Sequence, residues 1–475
     1  MRPPAAVFDN SCVRAILYRL VSCRAPNVGH YGGKPVLECI VTKFGGSSLA
    51  NAEQFRKVRS ILELEPTRRY LVPSAPGKRF ASDEKVTDLL YLCHTLKNDN
   101  KPFADEFAKI RERYESIARD LHLKVDISSA LQEVEDGIAS GKSRAWCASR
   151  GEYLCGLLMA DYLGWRFLDA ADGIVFDDEG HLDDDATQEK LSARLADGQS
   201  TVVPGFYGAK KNGEVCTFSR GGSDITGALV ARAVNADVYE NWTDVSGFLM
   251  ADPRIIDGPA EISSITYKEL RELSHMGASV LHEDAMFPVH RAGIPTNIRN
   301  TNKPYHPGTM ISKNAPHEVT VPTITGIAGH RGYSVISVEK NMMNSEVGFG
   351  RKVLSVLEKE GISFEHMPTG IDSMCVVVQS SVFEPHRTQV ITEIEKLVGD
   401  SGSVSVSDNL SIIATVGRGM VHNCGTAARL FNAMSRARIN VRMIDQGSSE
   451  LSIIVGVNDS DFEQTIHAIY HEFVG

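Results

Sequence analysis

Val41-Thr42-Lys43-Phe44-Gly45-Gly46-Ser47-Ser48 sets a cation, two glycines and two hydroxyls on one short turn. Upstream, Val36 to Val41 is apolar and partly β-branched, the composition of a buried strand. Downstream, Asn51 to Leu64 carries apolar residues at helical spacing. The turn therefore joins a strand to a helix. Glycines let the backbone come close to a ligand, and the first amides of a helix present unsatisfied positive ends to an anion. With Lys43 beside them, the turn reads as a phosphate cradle. It is not a Walker A loop, where lysine follows the last glycine and precedes Ser or Thr. Taken alone, Lys-x-Gly-Gly is also an ordinary strand-to-helix connection, so partners elsewhere must decide.

A chain of 475 residues exceeds one ordinary core, and two to four domains are expected. The formal net charge of -10 argues against nucleic acid or an anionic membrane as the main partner. Nine cysteines are dispersed and never spaced as metal-ligand pairs, which fits a reducing, cytoplasmic setting. Cys147, Cys155 and Cys216 read as small core residues, and no metal site is expected. No apolar run reaches the length that spans a bilayer. Residues 1–35 stand apart, with Arg2, Arg14, Arg19 and Arg24 opposed only by Asp9. They read as a disordered or mis-started tail, with an organelle transit segment as the other reading.

From 36 to 314 strands and helices alternate, the pattern of a doubly wound α/β domain. A short strand, Tyr70 to Pro73, leads into Ser74, a polar loop from Lys78 to Lys85, and a helix opened by Val86-Thr87-Asp88. Pro102 to Leu121 reads as a helix with a solvated face. Ser149-Arg150-Gly151-Glu152 precedes an apolar helix from Tyr153 to Leu163. Six acids between Asp177 and Asp185 lack the ligand order of a calcium loop and read as solvated. Gly205-Phe206 ends another strand. A second glycine turn follows, Phe218-Ser219-Arg220-Gly221-Gly222-Ser223-Asp224, feeding a helix from Ile225 to Asn235, which Ser223 or Asp224 would cap. After a strand at Val238 to Tyr239, Trp242-Thr243-Asp244-Val245-Ser246-Gly247 and Ala251-Asp252-Pro253-Arg254 form a loop-rich region.

Beyond this the composition changes and a repeat emerges. Gly361 to Val378 aligns without gaps on Arg438 to Val455, matching Ile362 with Ile439, Gly370 with Gly447 and Val378 with Val455. Each copy follows an amphipathic helix, with opening strands near Tyr333 to Val338 and Leu410 to Val416. The order is that of a ferredoxin-like βαββαβ module, expected at 315–394 and again at 395–475. Two such modules suggest sensing more than chemistry.

Phosphoryl transfer is mostly positioning and charge neutralisation, so it needs anion cradles, a cation on the moving group and handles for the acceptor. Gly45-Gly46 and Gly221-Gly222 are the cradles and Lys43 is the cation. Arg220 suits a carboxylate and Glu152 an ammonium, which together describe an amino-acid substrate.

At this point the chain resembles the aspartokinases of the amino-acid kinase family, which phosphorylate the side-chain carboxylate of L-aspartate with ATP. The resemblance runs from Val36 to the end. It rests on Lys43-Phe44-Gly45-Gly46-Ser47-Ser48, Gly205-Phe206, Arg220-Gly221-Gly222-Ser223-Asp224, Thr243-Asp244-Val245, Ala251-Asp252-Pro253-Arg254, the Gly277 to His282 motif and the paired module, which is like the ACT repeat. It implies an amino-acid-kinase-type domain followed by two ACT modules, in a monofunctional homodimer or higher homo-oligomer using ATP with Mg²⁺.

Carried onto matching positions, the resemblance implies catalytic roles for Lys43 and Asp224. Ser74, Thr87, Glu152, Phe206, Arg220 and Ser223 would hold aspartate. Lys43, Gly45, Gly46, Ser47, Thr243, Asp244 and Arg254 would hold the nucleotide. Met342, Ser345 and Glu365 would contact an amino-acid effector, lysine ahead of threonine. Departures are Ser279 where many relatives have Lys, Leu249 where an aromatic residue often flanks the base, a longer loop between Gly77 and Val86, and Glu365 for a more usual Asp. Two alternatives stay open: a kinase of another acidic amino acid, and a catalytically inactive amino-acid sensor.

Overall fold

The computed structural model describes residues 39–277, 283–314 and 322–475; the tail at 1–35 and Ser279 lie outside them. The chain divides into two compact units. One comprises Met1–Phe248, Ser263–Tyr267 and Val280–His317, the other Leu249–Ile262, Lys268–Ser279 and Glu318–Gly475.

In chain order the first thirteen strands are β1 (Ile40–Phe44), β2 (Arg68–Pro73), β3 (Arg166–Phe167), β4 (Val175–Phe176), β5 (Thr201–Val202), β6 (Tyr207–Lys210), β7 (Val215–Thr217), β8 (Val238–Thr243), β9 (Phe248–Leu249), β10 (Glu261–Ile262), β11 (Ser264–Thr266), β12 (Thr296–Asn300) and β13 (Thr309–Ser312). Eight of them form one sheet in the order β11-β13-β12-β8-β1-β2-β5-β3. It is parallel except for the β12–β13 pair. β1 is buried at every residue, as a central parallel strand covered on both faces must be. Its neighbours are β2 on one side and β8 on the other, so the direction of winding changes at β1 and the crevice for ligands lies beyond its carboxyl end.

Behind that crevice sits a buried ion cluster. Glu240 on β8 accepts from Arg68 Nε at 2.8 Å and Nη2 at 3.0 Å, from Arg299 Nη1 at 3.3 Å and from the Trp242 indole at 2.9 Å. Both guanidinium groups also stack on the Trp242 ring, at 5.3 and 4.7 Å from its centroid. Burial alone would raise the Glu240 carboxyl, but the two arginines outweigh it and hold it below the ordinary glutamate value. The cluster joins β2, β8 and β12.

The second unit carries a six-stranded sheet of β14 (Gly326–Lys340), β15 (Phe364–His366), β16 (Ser373–Gln379), β17 (Gly402–Val416), β18 (Met443–Asp445) and β19 (Ser452–Asn458), ordered β15-β16-β14-β17-β19-β18. Both opening strands are longer than the sequence pattern predicts. Tyr333 to Glu339 of β14 pairs with β16, and Val335 to Lys340 pairs with the first part of β17. The preceding Gly326 to His330 pairs with the end of β17. Each long strand thus serves both copies of the repeat, and the register shifts where the service changes, between His330 and Val335. The helices Phe349–Lys359 and Thr426–Arg436 both start after a glycine with positive φ, Gly348 and Gly425. The matched pairs Ile362 with Ile439 and Val378 with Val455 are buried.

Replacing Glu240 by Gln leaves two buried guanidinium groups without their counter-charge. Denaturant unfolding at neutral pH is expected to show a loss of about 3–5 kcal/mol. Because the native carboxyl is held low, its contribution is present above the unfolded glutamate value. The gap between Glu240→Gln and the parent should therefore close only below that value, as pH falls through the lower native one.

Candidate functional site

Parallel register sets Lys43 of β1 directly beside Asn241 of β8. The Lys43 ammonium lies 2.6 Å from Asp224 Oδ1 and donates to Asn241 Oδ1 at 3.3 Å, while Asn241 Nδ2 donates to Asp224 Oδ1 at 2.7 Å. A full cation is thus fixed by two groups, themselves bonded to each other, at the end of the central strand. Above it, Gly45 N–H donates to the Trp242 carbonyl at 3.0 Å, and a single 3-10 turn, Gly46–Leu49, intervenes before the helix Ala52–Glu63. Gly46 has to be glycine: a Cβ there would sit 2.8 Å from the Ala75 carbonyl.

A cavity of about 550 Å³ opens beside this turn, lined among others by Gly46, Ser47, Ser74, Thr87, Glu152 and Asp244. Glu152 belongs to a helix, Arg144–Leu163, that starts nine residues before the Tyr153 expected from the apolar pattern, with Ser143 capping it. The carboxylate therefore stands mid-helix, on a rigid support. Gly151 brings that helix against Ala75, where a Cβ would lie 2.9 Å from the alanine's own, and Tyr114 bonds the Gly151 carbonyl at 2.7 Å. Glu152 is 5 % exposed, and its Oε2 has no hydrogen-bond partner. Burial pushes its pKa up to about 8, against the opposing pull of the Ala75 amide and the Arg150 charge. Such a carboxylate is a receptor for a cation with N–H donors.

The second glycine turn meets the Gly205-Phe206 turn. Gly221 adopts φ +58° and the helix runs Gly222–Ala233, so Ser223 and Asp224 occupy its first turn and neither caps it. A Cβ on Gly205 would lie 2.6 Å from Ser223 Oγ, and one on Gly222 2.6 Å from the Phe206 ring. Phe206 itself takes φ +81°, an uncommon state for a bulky residue, with its N–H held by Thr226 Oγ1 at 3.1 Å. Arg220 is exposed on the loop leading into this helix. Thr243 ends β8 and bonds Asp244 at 3.2 Å, and Asn300 holds the Asp244 carbonyl at 3.1 Å.

Other expected residues lie in the second unit. Arg254 pairs with Asp252 at 2.6 Å, and Leu249 is part-exposed. Met342 is 69 % exposed with φ +59° at the start of the turn Met343–Ser345, whereas Met343 packs in the core. Ser345 Oγ contacts Asn344, and Glu365 lies 2.9 Å from His275 Nε2.

The sequence pattern ends this strand at Tyr239 and so does not point to Asn241; β8 continues to Thr243 and carries polar residues through the sheet. The signal was a polar residue two positions beyond an apolar strand core, on the face shared with Tyr239. Of the Asp177 to Asp185 acids, Asp183 caps a helix and Asp184 pairs with Arg232 at 2.6 Å and Arg291 at 3.2 Å. Cys147 and Cys155 are fully buried, and burial raises both thiols. Among the described residues no helix is long and apolar enough to cross a membrane.

The amino acid kinase family pattern matches residues 38–300, and an ACT domain pattern matches 413–473. Aspartokinase 3 of Bacillus subtilis is 39% identical over 451 residues, covering 91% of this chain and 98% of its own. The crystal structure of Clostridium acetobutylicum aspartate kinase, described as an allosteric enzyme, is 50% identical with a TM-score of 0.85, covering 91% of this chain and all of its own. E. coli aspartokinase III, solved with aspartate and ADP, shares the fold at 24% identity and a TM-score of 0.66, over 92% of this chain and 100% of its own. The chain belongs to the amino acid kinase family, among its aspartokinases.

Proposed function

We propose that this chain transfers the γ-phosphoryl group of ATP to the side-chain carboxylate of L-aspartate, giving 4-phospho-L-aspartate and ADP. This is the first step toward lysine, threonine and methionine. One arrangement carries the reading: the anchored Lys43 ammonium stands at the cradle of Gly45 and Gly46, and that cradle borders a cavity whose wall holds Glu152, with one carboxylate oxygen lacking a hydrogen-bond partner. A carboxylate oxygen of aspartate forms the new bond to phosphorus as the bond from phosphorus to the bridging oxygen breaks and ADP leaves. The acceptor is already an anion, so no base is needed. Lys43 neutralises charge on the moving group, held by Asp224 and Asn241, while Mg²⁺ arrives on the nucleotide. Glu152 takes the substrate ammonium and Arg220 its α-carboxylate. Ser74, Thr87, Phe206 and Ser223 complete the acceptor site, and Thr243 and Asp244 meet the nucleotide. The location is cytoplasmic and the assembly a homodimer or higher homo-oligomer.

Effector control falls to the second unit, with Met342, Ser345 and Glu365 as contacts and lysine as the amino acid sensed. Titrating activity against lysine, threonine and methionine should show inhibition at the lowest concentration with lysine. Glu365→Ala should blunt that response and spare the uninhibited rate, and equal insensitivity to all three amino acids would refute the assignment.

Purified protein with ATP, Mg²⁺ and aspartate should give an acyl phosphate that hydroxylamine traps; no aspartate-dependent signal would defeat the reading. Lys43→Ala should lower kcat by about 10²–10³ and move the aspartate KM by less, since the cation acts on charge that develops in the transition state.

Glu152 supplies a separate check. With a pKa near 8 it is mostly protonated at pH 7 in the free protein, and an ammonium bound against it restores the charged form. Aspartate binding at pH 7 should release about one proton per site, measured by calorimetry in buffers of different ionisation enthalpy. Glu152→Gln should bind without release. The sign also fixes stability: a raised carboxyl favours the fold below the unfolded glutamate value, and that advantage is lost as pH rises through 8.

A further inference from the structure

The helix Ala104–Asp120 reads as solvated, yet Arg113, at its centre, is 2 % exposed. Its guanidinium reaches across to the loop between Gly77 and Lys85. Nη1 donates to the Gly77 carbonyl at 2.7 Å, and Nη2 to Asp83 Oδ2 at 2.6 Å and the Glu84 carbonyl at 3.4 Å. The same Gly77 donates its N–H to the Gly46 carbonyl at 2.8 Å. Backbone contact there is as close as glycine allows, for a Cβ on Gly77 would lie 2.7 Å from the Gly46 carbonyl carbon. One residue is therefore gripped through both of its peptides, its N–H by the phosphate cradle in front and its carbonyl by Arg113 behind.

The loop so held presents Lys78, Phe80, Ala81 and Lys85 to the cavity. Asp83 closes the loop on itself, accepting from the Arg79 amide and Nε at 2.9 Å, and these bonds hold its carboxyl far below the usual aspartate value. A second tie to the helix, Arg79 to Glu112 at 3.1 Å, lies in solvent, where an ion pair contributes little. A lysine at 113 would keep the charge but lack the planar fork that serves a carbonyl and a carboxylate at once.

We infer that Arg113 is a positioning residue for the acceptor cavity, fixing from outside the site both the Gly77–Gly46 contact and the wall formed by residues 78–85. This rests on the kinase reading above. The cavity is then preorganised before substrate arrives, and loosening the loop costs acceptor affinity before it costs turnover.

The test is Arg113→Ala and Asp83→Ala in the full chain, with Arg113→Lys and Glu112→Ala beside them. Each is followed by thermal unfolding, by tryptic cleavage after Lys78, Arg79 or Lys85, and by steady-state kinetics. The expected result is loop cleavage about tenfold faster in both alanine variants, with the aspartate KM up about tenfold and kcat within threefold of the parent. Arg113→Lys should fall between, and Glu112→Ala should match the parent. Asp83→Ala keeps the question answerable if Arg113→Ala does not fold. Cleavage and KM within twofold of the parent in folded variants overturn the proposal. So does a kcat that follows melting temperature while KM stays put, the behaviour of an arginine with a structural role only. Should the parent not phosphorylate aspartate, the kinase reading fails on its own, and the cleavage rates still judge Arg113.

Discussion

The register between β1 and β8 is the constraint on which the site depends. Side chains alternate along a strand, so Glu240 and Trp242 point to one face while Asn241 points to the other. The pairing of Lys43 with Asn241 keeps the buried ion cluster behind the sheet and the ammonium in front of it. A slip of one residue would bring Glu240 toward Lys43 and strand Arg68 and Arg299 without a counter-charge. The Glu240 cluster thus locks the alignment that the chemistry uses, and Phe44 stacked on Trp242 at 5.7 Å strengthens the lock.

Much of this was legible because it is local. Lys43 with its two glycines, the Arg220 to Asp224 turn and the repeat after 315 are short patterns whose residue types carry their own geometry. Less legible were facts of pairing across long sequence separations. Asn241 lies 198 residues from Lys43, and no local rule ends a strand at Thr243 instead of Tyr239 when the intervening residues are polar. Arg113 was hidden for a related reason. It does lie at helical spacing between Ile110 and Ile117, on the buried stripe, but that position alone does not say which loop it holds. The start of the Arg144–Leu163 helix is hidden because Ser149, Arg150, Gly151 and Glu152 interrupt its apolar pattern, although Ser143 is a readable cap.

Glycine is used at this site for proximity more than for flexibility. Gly46 against Gly77, Gly205 against Ser223 and Gly222 against Phe206 are backbone approaches that a methyl group would block. They hold four chain segments together in two pairs, and the left-handed Phe206 is the conformational strain accepted where one pair meets. The resulting rigidity suits a reaction whose catalysis consists of placing charges and keeping them still.

The two long strands of the second unit have a different consequence. Since β14 and β17 each contribute one half to either copy of the repeat, neither copy owns a complete set of strands from a continuous piece of chain. The two are entangled at the level of the backbone, so that neither can be cut away without leaving the other short of a strand. Drift in either copy is felt by its sibling, and the pair must evolve as a single organ.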